Sequence, residues 1–303
     1  MRVEYIDARR AEVEQALAAI LPPTPDCPDV LADAMRYSLT AGGKRLRPVL
    51  CLTAADAVGG DRTLALPAAC AIELIHTYSL IHDDLPAMDN DTMRRGRPTL
   101  HVVAGEGMAI LAGDGLMTHA FNLLASEPVT KDPSLIERKL DVIQILSAAA
   151  GPMGMVGGQA IDVASTAPDP QGRVATLDAT DLQRMHGKKT GALILVSGTI
   201  GAILGGGTNE QIAAIGDAGG EFGLAFQIVD DILDIEGESA ALGKTAGKDA
   251  AAGKPTYPLL YGLERSKHMA AECLERAEAF LSDAGLAHSR LLDIGRWIVE
   301  RTN

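Results

Sequence analysis

Apolar residues recur at helical spacing along almost the whole chain, and this periodicity limits the fold more than any other feature of the sequence. Apolar positions that return every three to four residues indicate amphipathic helices, whereas half-buried strands alternate apolar and polar residues. No convincing alternating run is present. Aromatic residues make up only 3% of the chain, so side chains that favour strands are scarce. The sequence therefore predicts an all-α protein.

The breaks between the predicted helices fall at clusters of proline and glycine. Helices are expected near 5–21, 27–41, 45–58, 64–85, 105–126, 133–150, 175–204, 209–236, 256–283 and 285–301. No break is long enough for a domain linker, and the composition does not shift along the chain. We therefore expect residues 1–303 to form a single domain, a bundle of about ten helices around a central cavity.

Composition and charge exclude several classes of protein. With 47% hydrophobic and 22% charged residues over 303 positions, the chain is neither disordered nor collagen-like. The 27 basic and 40 acidic residues give a net charge of −13. Such a charge repels a phosphate backbone at long range, so we expect no nucleic-acid partner.

The start of the chain and its cysteines indicate a cytoplasmic protein. Residues 1–20 carry charge throughout and lack the unbroken apolar core of an export signal. The four cysteines lie far apart, which fits neither a disulfide framework nor a zinc site. Residues 190–208 are uncharged over about the length of a bilayer span. Because six glycines interrupt this stretch, we interpret it as a central buried helix rather than a membrane span, and expect no stable membrane insertion.

Residues 227–234 contain an aspartate cluster with the spacing of a metal site. Asp230 and Asp234 are four residues apart in a predicted helix, so both carboxylates lie on one face about 5 to 6 Å apart. One magnesium ion can bridge that distance. A single pair of aspartates is more often a solvated helix end, but this cluster directly follows an apolar run and the pattern occurs twice.

The other cluster occupies residues 82–89, where an apolar helix is expected to end. Pro86 disfavours helix at the residue before it, which places Asp83 and Asp84 at the helix end. Asp89 then lies on a loop that could fold back toward Asp83. The two clusters together predict a site for divalent cations.

Basic residues flank both clusters. They are Arg94 and Arg95 after the first, Lys244, Lys248 and Lys254 after the second, and Lys44, Arg45 and Arg47 upstream. Carboxylates combined with Arg and Lys suit a substrate that carries several phosphate charges with magnesium between. A diphosphate is therefore the expected substrate group. The glycines at 151, 154, 157 and 158 follow no strand, so we assign them to close helix packing rather than to a dinucleotide site.

Eight motifs in order make the chain resemble the trans-isoprenyl diphosphate synthases, or polyprenyl synthetases, and most closely the bacterial farnesyl diphosphate synthases. They are GGKRLRP at 42–48, DDLPAMD at 83–89, RRGRPTLH at 94–101, LAGD at 111–114, GGQAID at 157–162, KTG at 189–191, FQIVDDILD at 226–234 and GKxxGKDxxxGKPTY at 243–257. The resemblance covers nearly the whole chain. It implies a helical bundle of the isoprenoid synthase type, in which two aspartate motifs face each other across a deep cavity.

The resemblance also implies the roles of individual residues. The first aspartate motif would comprise Asp83, Asp84 and Asp89, and the second Asp230, Asp231 and Asp234. Three magnesium ions would be held by Asp83, Asp84, Asp89, Asp230 and Asp234. The oxygens of an allylic diphosphate would be contacted by Arg94, Lys189, Lys244 and Lys254. Isopentenyl diphosphate would be bound by Lys44, Arg47, His76 and Arg95, and Thr190 and Gln227 would lie beside the developing cation.

The implied reaction is a magnesium-dependent head-to-tail prenyl transfer. Isopentenyl diphosphate would condense with dimethylallyl and then geranyl diphosphate to give farnesyl diphosphate, in an enzyme that is expected to be a homodimer. A geranylgeranyl diphosphate synthase of the same family is the first alternative. A non-catalytic prenyltransferase subunit would be expected to have lost one aspartate cluster, and a terpene cyclase to have replaced the second.

The length of the product is expected to depend on the helix before the first motif. Tyr78 and Ser79 lie five and four residues before Asp83, where a hydrocarbon tail growing from the metal cluster would run. An aromatic side chain here goes with a fifteen-carbon product among relatives of this kind. The alternative is that Tyr78 packs in the helical core and never meets the tail. His76, alone on an apolar helix, would more often be a core histidine, and Arg45 is expected to point to solvent or to structure.

Overall fold

The structure, a computed structural model, describes residues 2–22, 25–166, 172, 177–240 and 256–301, and helices make up most of them. The α-helices are α1 Arg2–Ala19, α2 Asp29–Leu39, α3 Leu46–Ala57, α4 Leu66–Asp83, α5 Leu100–Ala104, α6 Glu106–Ser126, α7 Pro133–Ala150, α8 Met155–Thr166, α9 Ala179–His186, α10 Ala192–Leu204, α11 Asn209–Ala240, α12 Tyr257–Tyr261, α13 Leu263–Asp283 and α14 Leu291–Glu300. A 3₁₀ turn covers Arg62–Leu64 and a π-helical turn Gly187–Gly191. Strands β1, Met93–Arg94, and β2, Arg97–Pro98, form an antiparallel hairpin with Met93 opposite Pro98. The all-α class is confirmed.

The described residues contain more than the expected ten helices, and three of the differences have a local cause. Helix α8 was not predicted, because its start is rich in glycine. The predicted helix 256–283 is divided at Gly262, whose φ of +83° ends α12. The predicted helix 285–301 begins only at Leu291, because Gly285 adopts a φ of +75° in the preceding turn.

Helix α10 lies at the centre of the bundle, where it packs against α3, α7 and α11. Its residues Leu193, Ile194 and Ile200 are fully buried, so the interpretation of this uncharged stretch as a buried helix is confirmed. Four other segments are long and apolar enough to cross a membrane by length and composition: 62–83, 106–126, 133–166 and 209–236. The absence of stable membrane insertion remains a prediction.

Glycine allows α10 to approach α3 at backbone distance. A Cβ atom on Gly201 would collide with the carbonyl oxygen of Cys51 and lie 2.8 Å from its carbonyl carbon. Backbone atoms in the middle of a helix cannot move aside as a flexible side chain can. The contact between these two central helices therefore depends on the missing side chain at position 201.

We predict that Gly201→Ala destabilises the protein by about 1 to 3 kcal/mol, because the added methyl group overpacks the α3–α10 contact. Thermal unfolding followed by circular dichroism measures the change. Gly107→Ala is the matched control, since a Cβ there meets nothing within 4 Å on the exposed side of α6. That control should be neutral or stabilising by up to about 1 kcal/mol. Equal melting temperatures for the two variants would contradict the prediction.

Candidate active site

The first aspartate motif lies where α4 ends and the chain turns back on itself. Helix α4 ends at Asp83, as the proline at position 86 predicts. The backbone N–H of Asp89 donates to the carbonyl oxygen of Asp83 at 2.9 Å, and that of Asn90 donates to Leu85 at 3.1 Å. The loop therefore folds back and brings Asp89 close to Asp83, as expected from the sequence.

The carboxylate of Asp83 is crowded and partly desolvated. The pKa of Asp83 is raised to about 6, mainly by burial and also by the carboxylates of Asp89 and Asp84, against the opposing effect of Lys189 and Arg94. Lys189 itself forms a 2.6 Å ion pair with Asp162. Burial lowers the pKa of Lys189, but Asp162, Asp83 and Asp89 outweigh it, so that the pKa is raised overall and the ammonium is retained. The lysine thus lies in electrostatic contact with the first aspartate motif.

A local widening of the helix positions Lys189 and Thr190. Both belong to the π-helical turn between α9 and α10, a type of turn that is frequent at functional sites. The turn packs against α8 and α11. A Cβ on Gly158 would collide with the backbone nitrogen of Lys189, so the glycine lets α8 approach the turn. The assignment of this glycine to close helix packing is confirmed.

Two neighbouring arginines of the hairpin, Arg94 and Arg95, contact different partners. Arg94 makes a bidentate pair with buried Asp84, with Nη2 2.7 Å from Oδ1 and Nε 3.0 Å from Oδ2. Arg95 adopts a left-handed φ of 51° and donates from Nη1 to the carbonyl oxygen of Gly42. The metal role of Asp84 and the substrate role of Arg94 stay predictions, and both require the pair to open or to share oxygens.

Four residues predicted to bind isopentenyl diphosphate form a cationic cluster, which we call the cradle: Lys44, Arg47, His76 and Arg95. Burial and the nearby Arg47 and Arg95 lower the pKa of His76 well below its usual value, so the imidazole is neutral at physiological pH. The Nε atom of Arg47 is buried without a hydrogen-bond partner. A buried guanidinium nitrogen that lacks a partner is suited to an incoming anion.

Glycine also shapes the cradle. Gly42 and Gly43 adopt φ values of +78° and +138°, which ordinary side chains avoid. A Cβ on Gly43 would lie 2.5 Å from Nη1 of Arg95. The glycine pair before Lys44 therefore leaves space for the arginine that closes the cradle.

The second aspartate motif lies on α11, and its first two carboxylates have different surroundings. Asp230 forms a 2.6 Å ion pair with Arg301, whose guanidinium also lies 4.0 Å from the centre of the Phe226 ring. Asp231 is buried and accepts hydrogen bonds from Gln227 Nε2 at 2.8 Å and from the backbone N–H of Tyr257 at 2.9 Å. Asp234 follows Asp230 on the same helix after four residues.

A cavity of about 130 Å³ lies beside Asp231. Its polar lining includes Asp162, Lys189, Thr190, Gln227, Asp231 and Thr256. Thr190 and Gln227, predicted to lie beside the developing cation, thus share one cavity. Lys189 lines this cavity and interacts with Asp83 and Asp89, so it lies between the two aspartate motifs.

Sequence reasoning missed two residues of this site. Asp162 is the last residue of the GGQAID motif, and that motif was the available signal. Arg301 lies 71 residues beyond Asp230 and outside every motif, so no spacing pattern could have connected the two. Lys244 and Lys254 lie outside the described residues.

The residues proposed to set product length are both buried or half-buried on α4. Tyr78 is 6% exposed, and its ring meets that of His82 edge to face at 5.7 Å. The hydroxyl of Ser79 donates to the carbonyl oxygen of His76 at 2.9 Å. Tyr78 belongs to the larger hydrophobic cluster of the protein, which α4 shares with α6.

The donors of the first motif fit magnesium. Among the residues that the structure describes, no three acidic, histidine or cysteine side chains converge closely enough to hold a metal ion. Magnesium is commonly bound by one or two carboxylates, with substrate phosphates and water as the remaining ligands. Asp83 and Asp89 offer oxygen donors, and the raised pKa of Asp83 reflects burial beside like charge that a divalent cation would relieve.

Known proteins with similar sequences or structures share this helical bundle. The polyprenyl synthetase family model matches residues 28–283. The farnesyl diphosphate synthase of Geobacillus stearothermophilus is 44% identical over 298 residues, which are 98% of this chain and 97% of that protein. The chloroplastic geranylgeranyl pyrophosphate synthase 7 of Arabidopsis thaliana is 46% identical over 279 residues, 91% of this chain and 78% of that protein.

A solved structure agrees with the sequence comparisons. The apo crystal structure of an FPP/GFPP synthase from Zymomonas mobilis superposes with a TM-score of 0.83 at 36% identity, covering 99% of this chain and 100% of that one. The family match spans most of the chain, and the sequence of the Geobacillus enzyme is 44% identical over nearly the whole length of this chain. The chain therefore belongs to the polyprenyl synthetase family, and its expected activity as a prenyltransferase is confirmed.

Proposed function

We propose that the protein is a farnesyl diphosphate synthase, which condenses isopentenyl diphosphate with dimethylallyl and geranyl diphosphate. The observation that carries the product assignment is the position of the aromatic Tyr78 on α4, five residues before Asp83. The bulky ring supports a cavity floor that stops the growing chain at fifteen carbons. A geranylgeranyl product is the second candidate, favoured by the relatives whose names carry that activity, such as the Arabidopsis protein.

The described residues divide into groups with separate tasks. Asp83, Asp89, Asp230 and Asp234 would hold magnesium, which when bound neutralises the charge of the leaving diphosphate. Lys189 supplies a fixed positive charge toward the allylic diphosphate, since its pKa is raised and it lies beside the first motif. The Thr190 hydroxyl and the Gln227 carboxamide present dipoles to the cavity, where the allylic cation forms.

The cradle would orient the second substrate. Arg47, with a buried Nε that has no hydrogen-bond partner, would bind the diphosphate of isopentenyl diphosphate together with Lys44 and Arg95. The C–O bond of the allylic diphosphate would ionise, and the alkene of isopentenyl diphosphate would then attack the resulting allylic cation. The departing diphosphate takes the proton that the new chain loses, so no nucleophilic side chain is required.

We expect Asp83→Ala and Asp230→Ala each to lower kcat by about a thousandfold or more, because each removes several kcal/mol of transition-state stabilisation. Turnover with geranyl and isopentenyl diphosphates measures the loss. Chelation should abolish activity, and added magnesium should restore it. Asp217→Ala is the control, since that carboxylate is exposed on the same helix, α11. An Asp83→Ala enzyme that keeps a tenth of the turnover would refute the metal assignment.

We expect wild-type protein to stop at farnesyl diphosphate and Tyr78→Ala to extend the product to geranylgeranyl diphosphate, because loss of the ring opens space for one more five-carbon unit. Chromatography of the dephosphorylated products measures the chain length. Tyr78→Phe is the control, since it keeps the ring and should keep fifteen carbons. A Tyr78→Ala enzyme that is active yet still stops at fifteen carbons would show that another side chain forms the floor.

We also propose a homodimer in the cytoplasm. Ile110 and Met117 are 44% and 36% exposed and lie two turns apart on one face of α6, which suits contact with a second copy. All four cysteines are free, which suits a reducing compartment.

Sedimentation equilibrium should give twice the chain mass of 31.7 kDa. Ile110→Glu should shift the protein toward monomer, because it places a charge in the apolar contact. Val30→Glu is the control, at a position that is 65% exposed on α2. An active wild-type monomer would exclude the proposed assembly.

A further inference from the structure

Arg45 lies between two residues of the cradle but points away from it. It precedes α3 with a φ of 49°, the left-handed region that residues other than glycine seldom adopt. Its side chain is wholly buried. Such a conformation persists only where surrounding contacts hold it, and it recurs at functional sites.

The guanidinium of Arg45 connects four helices. Its Nε donates to Glu14 of α1 at 2.7 Å, and its Nη1 donates to Glu73 of α4 at 2.6 Å. Its Nη2 donates to the carbonyl oxygen of Leu39, the last residue of α2, at 2.6 Å. Since Arg45 directly precedes α3, one planar group fixes the ends or faces of α1, α2, α3 and α4 relative to each other.

These contacts control the positions of the cradle residues. Lys44 precedes Arg45, and Arg47 follows it by two residues in the first turn of α3. On α4, His76 lies one turn after Glu73 on the same face. Displacement of Arg45 would therefore move Lys44 and Arg47 at the start of α3 relative to His76 on α4.

The ion pair of Arg45 with Glu73 also affects the electrostatic surroundings of the cradle arginines. The carboxylate of Glu73 is 2% exposed, and its negative charge raises the pKa of Arg47 and of Arg95 against the larger lowering effect of burial. Oε1 of Glu73 accepts the hydrogen bond from Arg45, and within the described residues no hydrogen bond joins Glu73 to Arg47 or Arg95. Their guanidinium groups thus remain available to an anion.

We propose that Arg45 is a positioning residue for the diphosphate of isopentenyl diphosphate, acting through Lys44, Arg47 and His76 without touching the substrate. The proposal rests on the proposed function, because it takes the cradle as the binding site for that substrate. The buried ion pair with Glu73 and the hydrogen bond to Glu14 hold α3 and α4 in the spacing that the diphosphate requires.

The test is steady-state kinetics of Arg45→Lys with each substrate varied in turn. Lysine keeps the charge, but a single ammonium on a flexible stem cannot span the partners of a planar guanidinium. We expect KM for isopentenyl diphosphate to rise about tenfold, while KM for geranyl diphosphate and kcat change less than about threefold. Glu14→Gln should produce a smaller rise in the same constant, and it keeps the fold because Glu14 is partly exposed.

Two reference variants separate positioning from stability. Leu281→Ala removes a fully buried side chain of α13 in the other hydrophobic cluster and should lower the melting temperature without changing either KM. Arg47→Gln removes a cradle residue itself and should raise KM for isopentenyl diphosphate more than Arg45→Lys does.

The outcomes are distinct. The inference is overturned if Arg45→Lys and Glu14→Gln leave KM for isopentenyl diphosphate unchanged, or raise both Michaelis constants equally. If Arg45→Lys does not fold, Glu14→Gln alone decides. A wild-type protein that does not incorporate isopentenyl diphosphate would refute the proposed function instead.

Discussion

Compensation of buried charge governs the arrangement around the active site. Charges in a low-dielectric interior are costly unless they are paired, and breaking such a pair leaves an uncompensated charge. Arg45 with Glu73, and Arg94 with Asp84, satisfy this requirement within the protein. Arg47 keeps a buried Nε without a partner. The internal pairs therefore build the site, whereas the cradle retains a hydrogen-bond donor for a ligand.

Helix α4 carries several of the proposed functional residues along one rigid element. Glu73, His76, Tyr78 and Asp83 lie within ten residues, about 15 Å of helix rise. Along that length the helix supplies the carboxylate that pairs with Arg45, the neutral imidazole of the cradle, an aromatic ring and the carboxylate of the first aspartate motif. The spacing between diphosphate binding and the proposed cavity floor is thus fixed by helix geometry rather than by loops. Insertion or deletion of one residue in this segment would rotate every later side chain of the helix by about 100°.

Local chemistry explains which parts of the molecule could be predicted from the sequence. Pro86 fixed the end of α4, and the apolar period identified most of the long helices, because both effects act within a few residues. The strands of the hairpin at 93–98 are too short to show an alternation of apolar and polar residues. Helix α8 begins in a glycine-rich stretch, which is typical of a break between helices. The pairs Lys189 with Asp162 and Asp230 with Arg301 depend on how distant helices pack. No local pattern encodes such contacts.

The two adjacent aspartates of the second motif show why a motif does not assign equal roles to its members. Successive residues of a helix point about 100° apart, so Asp230 and Asp231 face different surroundings. Both oxygens of Asp231 accept hydrogen bonds from the protein, and a metal bound there would displace donors that fix Gln227 and Tyr257. Asp230 is 43% exposed and faces the cationic Arg301. Asp230 therefore pairs with a cationic side chain, whereas the carboxylate of Asp231 orients the cavity lining, so the two neighbours have different tasks.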